Sequence, residues 1–165
     1  MGSSKSKKAK RRRRCGRKRR QTPLESLNRR LEQGSLRKDQ FIIEPGGAVK
    51  MSEVLTDFVE PYFEFAGADA AHRKLLMLAI AAWNTSLLPE EEQQDMVDKV
   101  LRTMPATSEE SKTELRETVK VLIARKKTHF SEYTRTILDF ELTDVREGYH
   151  LSVASTLERP PSPYK

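Results

Sequence analysis

The chain has 165 residues and a formal net charge of +7, with fewer hydrophobic residues (36%) and more charged ones (33%) than an ordinary globular protein. Its best apolar stretch, from Leu75 to Trp83, is too short to span a bilayer, and the single cysteine, Cys15, excludes an intrachain disulfide and a four-cysteine zinc site. Because the basic start leads into residues 21–23 and not into an apolar segment, no secretory signal peptide is expected.

The positive charge is concentrated at the start of the chain. Residues 1–20 contain 12 Lys and Arg and no acid, which leaves 19 basic and 24 acidic residues, a net charge of −5, for the remainder. Because like charges repel and nothing apolar is available to bury, residues 1–21 are predicted to form a disordered polybasic tail. Its cations are Lys5, Lys7, Lys8, Lys10, Arg11, Arg12, Arg13, Arg14, Arg17, Lys18, Arg19 and Arg20.

These twelve cations are the candidate nucleic-acid-binding residues, because they can neutralise several phosphates and release counterions. Such contacts follow the charge of the nucleic-acid backbone and carry little sequence information, so the choice between RNA and DNA stays open. No aromatic residue interrupts the tail, and base stacking is therefore not expected. The alternatives are contact with an anionic membrane surface and a solubilising tail without a dedicated partner.

A short leading helix is predicted immediately after the tail. Residues 22–25 have capping-box spacing with proline at the first helical position, and Gly34 ends the helix. Leu24, Leu27 and Leu31 fall on one face of it. The apolar run from Phe41 to Ile43, closed by proline and glycine at 45–47, is typical of a short strand followed by a turn.

Two helices with strong apolar faces are predicted next. From Ser52 onward, apolar residues recur at helical spacing, and Pro61 is expected to kink or end this helix near Glu60. Asp69 is a suitable N-cap for the second helix, which is apolar around much of its circumference and is therefore placed centrally. Its apolar face comprises Leu75, Leu76, Ala79, Ile80 and Trp83.

Two further helices follow. Pro89 and the acids at 90–92 indicate a helix start, because carboxylates favour the positive end of the helix dipole. Consecutive helical residues point in different directions, so these acids are not interpreted as a metal or acid–base cluster. The spacing of residues 107–110 predicts a second capping box, which opens a helix that ends in the basic run 125–127. The predicted buried positions of the two helices are Met96, Val97, Val100 and Leu101, then Leu115, Val119, Leu122 and Ile123.

A β-hairpin with one buried face is predicted at the end of the domain. Leu138, Phe140 and Leu142 alternate with acids, and apolar residues alternate again over 149–153 after a turn at 144–148. Three polar side chains are expected on the other face, where cross-strand charge pairing is the preferred interpretation: Asp139, Glu141 and His150. A hairpin alone is marginal in water, and the segment 41–43 is the candidate third strand.

The sequence therefore predicts an α+β fold that is mainly helical, with four principal helices, a short leading helix and a small C-terminal hairpin. The predicted organisation is a disordered polybasic tail (1–21), a single α+β domain (22–157) and a disordered proline-rich C-terminus (158–165). The alternative is an all-helical domain with a loosely attached hairpin.

Two resemblances bear on origin. Residues 82–92 and 148–153 resemble segments of small bacterial proteins of uncharacterised function, a likeness that covers roughly residues 50–155 and implies a bacterial cytoplasmic protein with no activity to carry over. Residues 1–6 fit the N-myristoylation pattern and resemble the start of Src-family kinases, which would make Gly2 a lipidation site beside a basic membrane signal. That modification needs a eukaryotic cell, so the two resemblances exclude each other.

No catalytic residue, metal ligand or cofactor is predicted. The three histidines lack metalloprotease spacing, and the chain has no phosphate loop, nucleophile elbow or dinucleotide fingerprint. The leading hypothesis is a non-enzymatic cytoplasmic accessory protein whose tail binds nucleic acid, with RNA preferred, and whose acidic helical body engages a protein. One alternative is that the body recognises a peptide in a helix-lined groove, with the tail acting only as an electrostatic anchor. The others are attachment to an anionic membrane surface through the tail, and an enzyme whose site is assembled from residues distant in sequence.

Overall fold

The described part of the chain contains five helices and three strands, in the order α1 (Pro23–Gln33), β1 (Phe41–Ile42), α2 (Met51–Phe63), α3 (Asp69–Ser86), α4 (Glu90–Thr103), α5 (Glu109–His129), β2 (Ile137–Val145) and β3 (Gly148–Thr156). A computed structural model describes residues 22–34, 36, 40–43, 49–63, 69–104, 108–145 and 148–157. The mainly helical α+β fold is confirmed. The predicted disorder of residues 1–21 and 158–165 lies outside the described residues.

The three strands form one antiparallel sheet in which β3 lies between β1 and β2. Phe41 pairs with Thr156, so the predicted third strand joins the hairpin. Within the hairpin, a bulge between Ile137 and Asp139 breaks the two-residue period of β2. Because of this bulge, Leu138 packs in a different apolar cluster from Phe140, and the prediction that these residues share a face is wrong.

The sheet is covered on both faces. Leu151 and Val153 pack with α2 to α5 in the larger core, whereas Ala154 packs against α1 in a smaller cluster. Successive strand residues point to opposite faces, so α1 and the four principal helices lie on opposite sides of β3. The prediction of one buried face is therefore wrong, because α1 covers the face that was expected to be solvated. The hairpin is part of the core and is not loosely attached.

Helix α2 continues through Pro61 to Phe63, so of the two outcomes expected of this proline, a kink or an end near Glu60, the end does not occur. Proline has no N–H, so the carbonyl of Asp57 loses the donor that the regular helix would supply. The guanidinium of Arg125 on α5 replaces it, with Nη2 donating to the Asp57 carbonyl at 3.2 Å and Nε donating to the Phe58 carbonyl at 3.1 Å. This contact between α5 and α2 therefore compensates for the hydrogen bond that is lost at Pro61, and α2 continues beyond the proline.

Local residue chemistry sets other element boundaries. Ser108, and not Thr107, is the N-cap of α5, and its hydroxyl accepts a hydrogen bond from the Ser111 N–H at 3.1 Å. Gly148 begins β3 with φ +119°, a backbone conformation that side chains disfavour, so this position requires glycine where β2 turns into β3.

Candidate functional site

The predicted nucleic-acid-binding residues, together with Gly2 and Cys15, lie within residues 1–21 and therefore outside the described residues. The first described residue, Thr22, is the N-cap of α1 in an extended conformation. Its hydroxyl accepts a hydrogen bond from the Glu25 N–H at 3.2 Å, and the Glu25 carboxylate accepts one from the Thr22 N–H at 3.0 Å. The predicted capping box is confirmed, and the helical body begins directly after the tail.

Helix α1 contacts the polar face of the hairpin through Arg30. The Arg30 guanidinium donates to the Asp139 carboxylate and to the Phe140 carbonyl, both at 2.8 Å, and also pairs with Glu141. Asp139 and then Glu141 raise the pKa of Arg30. His150 lies apart from this cluster and hydrogen-bonds the Ser152 hydroxyl at 3.3 Å. The acids therefore pair with α1 and not across the strands, and their role in the structure is to attach a helix to the sheet.

The other candidate acids and histidines remain separate. Glu90 to Glu92 are exposed in the first turn of α4, where Glu90 pairs with Lys127 at 3.4 Å. His72 contacts the Phe63 ring edge to face, with the ring centroids 4.9 Å apart, and His129 ends α5. Among the described residues, no group of three or more His, Cys, Asp or Glu could hold a metal ion.

An aromatic cluster occupies the centre of the larger core. Trp83 is fully buried, as predicted for this face of α3, and contacts Phe58 edge to face with the ring centroids 5.3 Å apart. Phe130, which follows α5, packs against Phe58 in the same manner at 5.4 Å. The indole Nε1 of Trp83 donates to the Arg135 carbonyl at 3.0 Å. The cluster thus joins α2, α3 and the segments that flank α5 and β2.

Lys126 is a buried cation that the sequence analysis missed. Only 3% of the residue is exposed, and its Nζ lies 4.8 Å from the centroid of the Trp83 ring. Burial lowers the pKa of Lys126, while the nearby Glu132 raises it. The basic run 125–127 predicted only a helix end. The spacing from Val119 through Leu122 places Lys126 on the buried face, and this periodicity could have identified it.

A cleft of about 720 Å³ lies between the end of α3, the start of α4 and the segments at the ends of β2 and β3. Its apolar wall is formed by Leu87 and Leu88, which connect the two helices, and by Met96 and Val100 of α4. These four side chains are only half-buried. The sequence predicted Met96 and Val100 as core residues, but the wall they form faces an opening.

The rest of the cleft's lining is largely polar and carries no charge. It includes Thr134 and Thr136 before β2, and Thr156 at the end of β3. Asn84, which also lines the cleft, uses its amide to bind both backbone groups of Ile137 at 2.8 and 2.9 Å. None of the described residues that line the cleft is acidic, basic, histidine or cysteine, so it offers a binding surface and not general acid–base groups.

Comparison with known proteins gives no match to a protein-family model, to a curated protein or to a solved structure. Of the helices described, none combines the length and the apolar character needed to cross a membrane. The function is therefore inferred from the residues of this chain.

Proposed function

We propose that the protein is a non-enzymatic accessory protein that binds nucleic acid, with RNA as the preferred ligand, through Lys5 to Arg20. The observation that carries the proposal is the presence of twelve cations and no acid within this segment. A polycation of this density binds the phosphate backbone by releasing condensed counterions. The remainder of the chain carries a net charge of −5 and repels polyanions, so the affinity is assigned to the tail alone.

The body has the properties of a protein-interaction module within this proposal. Exposed acids at 90–92 and an uncharged cleft without general acid–base groups support recognition more than catalysis. We place the protein in the cytoplasm, where RNA is abundant and where a lone cysteine such as Cys15 stays reduced.

The proposal is tested by a salt titration of the full chain with two unrelated RNAs and a duplex DNA. If the tail neutralises about six to ten phosphates, the affinity falls by about 10³ to 10⁵ between roughly 50 and 200 mM salt. Replacement of Arg11 to Arg14 by Gln reduces the slope of log K against log salt by about three to four units and weakens all three ligands alike.

A matched control removes the same number of charges from exposed positions of the body: Arg29, Lys74, Lys99 and Arg102, each replaced by Gln. This variant is expected to keep the slope of the wild-type protein. A preference for one nucleic acid that persists at high salt would contradict the polycation mechanism. Stronger binding to vesicles containing phosphatidylserine than to RNA at equal salt would favour membrane attachment instead.

A further inference from the structure

The apolar face of α4 is only half covered within the described structure. Val97 and Leu101 are buried in the larger core, whereas Met96 and Val100, on the same predicted face, line the cleft and remain half-buried. Leu87 and Leu88 extend this uncovered wall. The folded protein becomes more stable when another segment covers an apolar surface of this kind and removes it from water.

The last strand, β3, ends at the cleft. Thr156, the last residue of β3, lines the cleft, and Leu157 behind it is 46% exposed. Eight further residues follow, with the sequence Glu-Arg-Pro-Pro-Ser-Pro-Tyr-Lys. In a polyproline conformation, at about 3.1 Å per residue, residues 158–165 would reach about 25 Å from the end of the described chain.

The chemistry of this segment matches both walls. Its three prolines have no N–H, so packing them against apolar side chains buries no unpaired donor, and their fixed φ angles reduce the entropy lost on binding. Its carbonyl groups can accept hydrogen bonds from the threonine hydroxyls opposite. The segment carries two cations, Arg159 and Lys165, against one acid, Glu158, and Glu90 to Glu92 lie beside Pro89, which lines the cleft.

We propose that residues 158–165 bind in this cleft as an intramolecular ligand, with their prolines and Tyr164 against Leu88, Met96 and Val100. The tether at Thr156 gives the segment an effective concentration in the millimolar range, so weak contacts suffice. The disorder predicted for residues 158–165 applies to the segment without a partner. A proline-rich peptide from another protein would have to displace it.

The test uses the full chain with Ser162→Cys in a Cys15→Ser background, a nitroxide label on the new cysteine, and the amide NMR spectrum of the body. We expect severalfold attenuation of the Leu88, Met96 and Val100 amide signals when the label is oxidised, with recovery when it is reduced. Attenuation at Thr156 and Leu157 is not diagnostic, because these residues are close to the label in sequence.

Two sets of variants make the test specific. Met96→Glu places a charge in the apolar wall and should restore the signals, whereas Val121→Glu, at a 52% exposed position of α5 outside the cleft, should not. Replacement of Pro160, Pro161 and Pro163 by Ser should also restore them, and these changes lie outside the described fold. Unattenuated cleft amides in the wild-type chain, or attenuation that both Met96→Glu and the triple proline variant leave unchanged, would overturn the proposal. So would equal binding of an apolar dye to the wild-type and proline-variant clefts, because it would show that the cleft is uncovered.

Discussion

Trp83 contacts three separate parts of the larger core through its ring and its indole N–H. Its ring contacts Phe58 on α2 and lies below the ammonium of Lys126 on α5, and its indole N–H binds the carbonyl of Arg135 ahead of β2. Trp83 therefore contributes apolar packing and also a hydrogen bond to the backbone carbonyl of Arg135, which is itself a buried residue.

Replacement of Trp83 by Ala is expected to lower the free energy of unfolding by about 3–5 kcal/mol, because the ring is fully buried and leaves a cavity. Trp83→Phe keeps most of the apolar contact but leaves the Arg135 carbonyl without its indole donor, for a smaller loss of about 1–3 kcal/mol. Urea unfolding followed by circular dichroism measures both. Equal losses for the two variants would show that the apolar contact contributes little and that the lost hydrogen bond accounts for most of the destabilisation.

Lys126 should make stability depend on pH in the alkaline range. Burial lowers its pKa in the folded protein below the ordinary value of 10.5, so between the folded and unfolded pKa values the unfolded chain binds more protons. Stability therefore rises with pH across that window. Below it, the charged form carries the full cost of burial, which the contact with Trp83 only partly offsets.

Lys126→Met preserves the buried stem and removes the charge. We expect this variant to be more stable than the wild-type protein at neutral pH, and the difference to shrink as the pH approaches 10.5. Burial raises the pKa of Tyr149, which also titrates in this range, but its contribution is common to both proteins and cancels. Urea unfolding at several pH values gives the comparison. A stability difference that does not change with pH would mean that Lys126 is solvated in the folded state.

At the scale of elements, Arg30 attaches α1 to β2. The helix has 11 residues and buries only Leu27 and Leu31, so its own apolar contact is small. The guanidinium adds hydrogen bonds to Asp139 and to the Phe140 carbonyl, and an ion pair with Glu141. This single side chain reaches from one element to three consecutive residues of another.

Arg30→Gln is expected to destabilise the protein by about 1–2 kcal/mol, a value reduced because the side chain is partly exposed and screened. Most of the effect should be local, so hydrogen exchange in α1 should accelerate more than exchange in α3. Arg29→Gln removes an exposed charge from the same helix and serves as the control. Equal acceleration in α1 and α3 would indicate global destabilisation instead of release of the helix.

Local sequence rules located the helices and strands well and their connections less well. Periodicity and capping spacing identified α1 and the apolar face of α3, because neighbouring residues determine them. The bulge that moves Leu138 to the other face and the extension of α2 past Pro61 depend on partners far along the chain, such as Arg125. No local pattern contains those partners. The shared face of Leu138 and Phe140 was therefore predicted wrongly, and the end of α2 near Glu60, one of the two outcomes expected of Pro61, does not occur.

The same limit applies to the sites. The tail was identifiable from charge alone, but the cleft forms where the α3–α4 connection meets the ends of two strands, which are separated by tens of residues in sequence. Met96 and Val100 fit a buried helix face in the sequence, and only the packing of the other elements shows that part of this face is uncovered.

At the scale of the whole molecule, the tail and the body are predicted to be energetically independent. Deletion of residues 1–20 keeps Thr22 and its capping box with Glu25, so the circular dichroism spectrum should be unchanged and the stability should stay within about 0.5 kcal/mol. The truncated protein carries a net charge of −5 and should lose its affinity for RNA and DNA, together with the salt dependence of binding. A loss of helix on deletion would show that the tail has a structural role.

A shuffled tail separates charge from sequence. A full-length variant with residues 1–20 in random order keeps all twelve cations but destroys their arrangement. If the tail acts as a flexible polycation, this variant should bind two unrelated RNAs with the affinity and salt slope of the wild-type protein, because phosphate contacts follow charge density and not side-chain order. A shuffled tail that binds as weakly as the deletion would mean that the wild-type segment folds on its ligand, and the spacing of Arg11 to Arg14 from the other cations would then determine what the protein recognises.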